Sequence, residues 1–115
     1  MRIVRHKHES DFLIVPNATV RDQKLSYLAR GILVEILSRP DGWETTADRL
    51  MEQARLYRGE KRGEGRRAIR SAFAELEVCG YMHRVRTRTE KGRFVTVMVV
   101  TDIPTRLDGR HLRAA

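Results

Sequence analysis

The sequence predicts an α+β domain in which three helices are followed by a β-hairpin, with a short strand ahead of the helices. Three observations carry this. Apolar residues recur at helical spacing three times between residues 24 and 79, and two alternating runs between residues 81 and 102 flank a glycine turn. The chain has 115 residues and 41% apolar content, enough for one domain to bury a core without disulfides or metal. Its only cysteine is Cys79, so an internal disulfide is excluded, and a thiolate metal cluster would need more donors. The organisation reads as an N-terminal extension over 1–11, one domain over 12–102 and a C-terminal tail over 103–115. The tail has little periodicity and is expected to fray. Repeats, low-complexity tracts and an interdomain linker are not found.

The run FLIVP, residues 12–16, is short, apolar and closed by a proline, which predicts an edge strand or a strapping segment. Residues 24–38 place Leu25, Leu28, Ile32, Leu33, Ile36 and Leu37 on one helical face, with Ser26 near the start. Gly31 costs that helix about 1 kcal/mol relative to alanine, so a close crossing by a neighbouring element is expected there. RPDG, residues 39–42, supplies a type I turn, and Trp43 is expected to pack back onto the helix from a very short strand or extended turn. TTAD, residues 45–48, resembles a capping box, and Ala47, Leu50, Met51 and Ala54 continue as a second amphipathic helix. In the third helix Ile69, Ala72, Phe73 and Leu76 form the buried stripe, Arg67, Arg70, Ser71 and Ala74 face the other way, and Gly80 ends it.

The hairpin register follows from side-chain alternation. A two-residue Lys-Gly loop would put Arg84, Arg86 and Arg88 on the face of Val95, Val97 and Val99, mixing charge with core. A three-residue loop, Glu90 to Gly92 with Gly92 left-handed, groups His83, Val85 and Thr87 with the valines. The second register is preferred. It leaves the three arginines in a row on the solvent side, near Lys91 and Arg93 at the tip.

The formal charge is +8, and residues 55–93 hold 12 Lys or Arg against 5 Asp or Glu, a net +7. Such a segment attracts polyanions through counterion release, though a basic run is commonly no more than a solvated face. Gly59, Gly63 and Gly65 lack the spacing of a Walker loop, and a dinucleotide fingerprint would need an apolar strand before it. No apolar run approaches the roughly 20 residues of a membrane helix, and MRIVRHKHES lacks the apolar core of a secretory signal. A cytoplasmic protein, associated with the nucleoid, is expected.

Enzymatic chemistry finds little support. His6 and His8 alternate as on a strand face, but no further ligand accompanies them. Cys79 reads as a small core residue, His83 as a partly buried hairpin residue, and Glu75 and Glu77 as solvated surface carboxylates on different helix faces. Spacing suggests no nucleophile, base and orienting group together. No catalytic residue, metal or cofactor is expected.

Three helices followed by a hairpin is the order of a winged helix-turn-helix. VPNATVRDQKLSYLARGILVEILSRPDGW followed by GRRAIRSAFAELEVCGY closely resembles the winged helix-turn-helix domains of actinobacterial regulators and of plasmid or phage replication initiators. LSYLARGIL, SRPDGW and ELEVCGY are its most specific parts. The resemblance implies that the third helix enters the major groove through Arg66, Arg67, Arg70 and Ser71. It implies that the wing touches backbone or minor groove through Arg84, Arg86, Arg88, Lys91 and Arg93. The segment LYRGEKRGEG, residues 56–65, is longer than the three or four residues of a tight helix-turn-helix.

Physical reasoning points the same way. An arginine near the start of a groove-lying helix can donate twice to guanine O6 and N7, and helix N-terminal amides can take a phosphate. The loop glycines read as flexible punctuation that lets the basic segment, with Lys61 and Arg62, approach DNA. The expected function is a small sequence-specific transcriptional regulator bound to double-stranded DNA, as a homodimer made through FLIV or the tail. The alternatives are a replication-initiation or replisome-organising module, and a protein-interaction module for an acidic partner.

Overall fold

The computed structural model describes residues 1–40 and 42–105. Four helices, α1 (Asn17–Val20), α2 (Tyr27–Leu37), α3 (Ala47–Arg58) and α4 (Arg66–Val78), precede two antiparallel strands, β1 (Met82–Arg88) and β2 (Phe94–Val100). The α+β order is thus as predicted, with two differences at the N-terminus. The run 12–16 forms no strand. A strand needs a neighbour to take its backbone hydrogen bonds, and none lies beside this segment among the described residues. After it comes the unforeseen single turn α1, whose Thr19 is buried and donates its hydroxyl to Asp102 O at 2.5 Å.

The helices form for local reasons that the sequence carries. Ser26 Oγ accepts the Ala29 N–H at the start of α2, and Thr46 Oγ1 accepts the Arg49 N–H at the start of α3. The cap of α3 is therefore Thr46, one residue beyond the expected box, and Asp48 sits inside the first turn. Leu25, Ala29, Ile32 and Leu33 from the α2 region meet Leu50 and Met51 of α3 and Ile69, Ala72 and Leu76 of α4 in a single core. Gly31 contradicts its expected purpose. A side chain there would meet nothing within 4 Å, so no element crosses it closely. The turn after α2 also differs from the expected RPDG turn: Trp43 N–H donates to Pro40 O, with Gly42 at φ +85°.

The loop from Gly59 to Gly65 is more constrained than a flexible tether. Helix α3 extends through Arg58, three residues into the segment expected to be loop. Gly59 ends α3 at φ +90°, and Gly63 packs against α3, where a Cβ would lie 3.0 Å from the backbone of Ala54 and Arg55.

Helix α4 stops in a Schellman motif, in which Tyr81 N–H reaches Leu76 O and Gly80 N–H reaches Glu77 O. Gly80 has φ +89°, and any Cβ there would come within 2.9 Å of Thr105 O. Residues 101–105 lie across this junction, with Thr101 N–H on Tyr81 O and Thr105 N–H on Gly80 O. The first residues of the expected tail are thus held down, while residues 106–115 lie outside the described residues. Buried Tyr81 donates its hydroxyl to Asp22 Oδ2 at 2.6 Å. Burial, then the Asp22 bond, pushes the phenol up to about 12, and the same bond holds the carboxyl below its ordinary value.

The hairpin has the predicted register: His83, Val85 and Thr87 pair with Val99, Val97 and Val95 around a loop in which Gly92 has φ +79°. The valine-bearing face is also the more covered one along β1, where His83, Val85 and Thr87 are half-buried while Arg84, Arg86 and Arg88 are exposed. At the root, Met82 and Val100 of the opposite face pack into the core instead, and a cleft between the hairpin and the helices is lined from both faces, by Val97 as well as Met98, together with Ile36, Trp43 and Phe73. Val95 and Val97 are about two-fifths exposed.

Candidate nucleic-acid interface

Helix α4 positions the first group of predicted site residues. Its buried stripe fixes the rotation of the helix, because Ile69, Ala72 and Leu76 must face α2 and α3. Arg66, Arg67, Arg70 and Ser71 are thereby left exposed at its beginning, where they line one shallow, open depression. Gly65 is the N-cap and offers no side-chain hydrogen bond, and the first turn holds no acidic residue. The positive end of the helix and its basic side chains coincide.

Two of these arginines have a partner that sequence reasoning missed. Asp48 Oδ1 lies 3.2 Å from Arg66 Nε and 3.3 Å from Arg70 Nη2. Its place at the opening of a helix suggests capping alone, and a hydrogen bond to a residue 22 positions away has no periodic signature. Lys61 and Arg62 are exposed on the loop that precedes this group. Arg58, at the end of α3, pairs with Glu64 at 2.7 Å.

The hairpin carries the second group. Arg84, Arg86 and Arg88 are exposed in one row, as expected. Arg84 Nε donates to Glu77 Oε1 at 2.6 Å, so this row begins against the last turn of α4. Arg86 and Arg88 place their guanidinium carbons 4.2 and 4.8 Å from the centre of the Phe94 ring. Lys91 and Arg93 are exposed at the tip, where Thr89 N–H donates to Arg93 O and closes the turn. Of the eleven predicted residues, four thus line one depression at the start of α4, two lie on the loop before it, and five are spread along the hairpin from its root to its tip.

The carboxylates read as surface solvation have definite tasks. Glu75 accepts from Ser26 N–H at 2.7 Å and from Ser26 Oγ at 2.9 Å, linking α4 to the cap of α2. Glu77 anchors Arg84. His83 is half-buried, as predicted, with Nε2 2.8 Å from Gly80 O. Cys79 packs against the core, and burial pushes its thiol up. No group of three potential metal ligands occurs among the described residues. No helix among them is long and apolar enough to cross a membrane.

No protein-family model matches the chain, and neither does any curated protein or solved structure.

Proposed function

We propose that the protein binds duplex DNA as a non-enzymatic winged helix-turn-helix regulator of transcription, with α4 in the major groove and the hairpin against backbone or minor groove. The observation that carries this reading is the set of four exposed side chains, Arg66, Arg67, Arg70 and Ser71, on the outward face of an amphipathic helix whose N-terminus has no side-chain cap. Arginines in that place can donate twice to guanine edges, while those of the hairpin suit phosphates. The net +7 over residues 55–93 supplies the sequence-independent attraction.

A fluorescence titration on a selected duplex and its scrambled counterpart tests the assignment. Arg67→Ala should cost about 1 to 3 kcal/mol on the selected duplex and much less on the scrambled one. Lys91→Ala or Arg93→Ala should weaken both alike and reduce the salt slope by about one unit for each phosphate no longer neutralised. Equal loss on both duplexes for Arg67→Ala would reduce α4 to an electrostatic anchor.

A module of this size spans one half-site, so we infer a homodimer on DNA. Phe12 and Ile14, 55% and 80% exposed, offer an unpartnered apolar surface for it. Sedimentation with a symmetric duplex should give a 2:1 complex, and a strict 1:1 complex would remove the dimer.

A further inference from the structure

The basic face at the start of α4 contains a carboxylate that DNA binding by itself does not explain. Asp48 is half-exposed, and Thr46 already accepts the capping hydrogen bond of α3, so Asp48 is not needed as the cap. Its Oδ1 instead bridges Arg66 and Arg70, which are four residues apart and so share one side of α4. Exposed pairs of this kind contribute little to folding stability. Beside a polyanion, moreover, a carboxylate repels phosphate and weakens attraction. The arrangement makes sense as control of direction: each guanidinium has five N–H donors, and one shared carboxylate oxygen restrains both groups while leaving most donors free.

We propose that Asp48 is a specificity-determining residue of the interface, holding Arg66 and Arg70 toward base edges and away from neighbouring phosphates. This rests on the DNA-binding reading above. It lowers affinity for duplex of arbitrary sequence while preserving affinity for the preferred one, because an arginine held in place reads a base but cannot swing to the backbone. Discrimination thus depends on a negative charge within a positive surface.

The test compares wild type, Asp48→Asn, Asp48→Glu and the control Glu52→Gln, which removes the same charge from an exposed position of α3. Each is titrated on a duplex selected by the wild-type protein from a random pool and on its scrambled counterpart, across roughly 50 to 200 mM salt. Asp48→Asn should bind the scrambled duplex several-fold more tightly at low salt. Its salt slope there should steepen by about 0.9 for each additional phosphate neutralised, an extra three- to fourfold loss across that salt range. The preference for the selected duplex should fall by the same several-fold factor, with Asp48→Glu close to wild type. Glu52→Gln should raise affinity for both duplexes without changing their ratio. An unchanged ratio and slope in Asp48→Asn overturns the role of Asp48 while leaving DNA binding intact. Wild-type protein that binds duplex without preference also overturns it. Wild-type protein that binds no duplex at all overturns the DNA-binding reading itself.

Discussion

The two ends of α4 are built on opposite terms. At its C-terminal end Leu76 and Tyr81 are almost fully buried, the helix closes in a Schellman motif, and Asp22, Ser26 and Thr105 all contribute hydrogen bonds nearby. At its N-terminal end Gly65 gives no side-chain cap, and Arg66, Arg67, Arg70 and Ser71 stand in solvent with Asp48 as the neighbouring carboxylate. One end fixes where the helix and hairpin sit, which lets the other end expose groups that do nothing for the fold. Even there Ile69 packs inward, so the charged side chains occupy only the outward face of that turn.

The sharpest way to break this contrast is Leu76→Ala. The side chain is fully buried, so its removal should cost about 2 to 5 kcal/mol in urea unfolding. A cost below about 1 kcal/mol would mean the C-terminal end is not the anchor.

Tyr81→Phe should cost less, near the lower end of the roughly 1.5 to 3 kcal/mol of a hydrogen bond to a charged group, because water can reach half-buried Asp22. Its pH dependence is more specific. The phenol of Tyr81 is raised in the fold from 10.0 to about 12, so its contribution is fully present below pH 10 and is lost as pH rises from 10 toward 12. Unfolding at pH 8 and pH 11 should show wild type losing about 1 kcal/mol more than Tyr81→Phe between them. Asp22 works in the other direction: its carboxyl is lowered, so its contribution holds above the ordinary carboxylate range and fades as pH falls through the lowered value.

The smallest stability effect belongs to the other end. Arg67→Ala should leave the unfolding free energy within about 0.5 kcal/mol of wild type. A large destabilisation would show that this outward face also holds the fold.

Legibility in the sequence followed the reach of each interaction. The apolar stripes of α2, α3 and α4 and the register of the hairpin repeat at short intervals, so periodicity and the glycine at position 92 suffice to place them. The packing at the hairpin's root is not legible in the same way. Grouping valines on one face and arginines in an exposed row is correct, but Met82 enters the core directly after Tyr81, so the root of the hairpin packs through the arginine-bearing face. Alternation along the strands does not show this change at the root, because the junction of Tyr81 with Thr101 sets it. Helix α1 has no sequence signature because four residues without a side-chain cap make no pattern. The basic residues of the candidate interface are evident from position and charge. Asp48 and Phe94 are not, since their roles depend on partners across α4 and along the hairpin.

The bond from Thr19 to Asp102 joins residues 83 positions apart. A chain growing from its N-terminus can therefore form the turn around Thr19 early but cannot satisfy this hydroxyl until residue 102 has left the ribosome. The Gly80–Thr105 hydrogen bond imposes the same delay on the root of the hairpin. During synthesis, then, the helices can assemble before the hairpin's root acquires these partners, and the root is tied down only when residues 101–105 arrive.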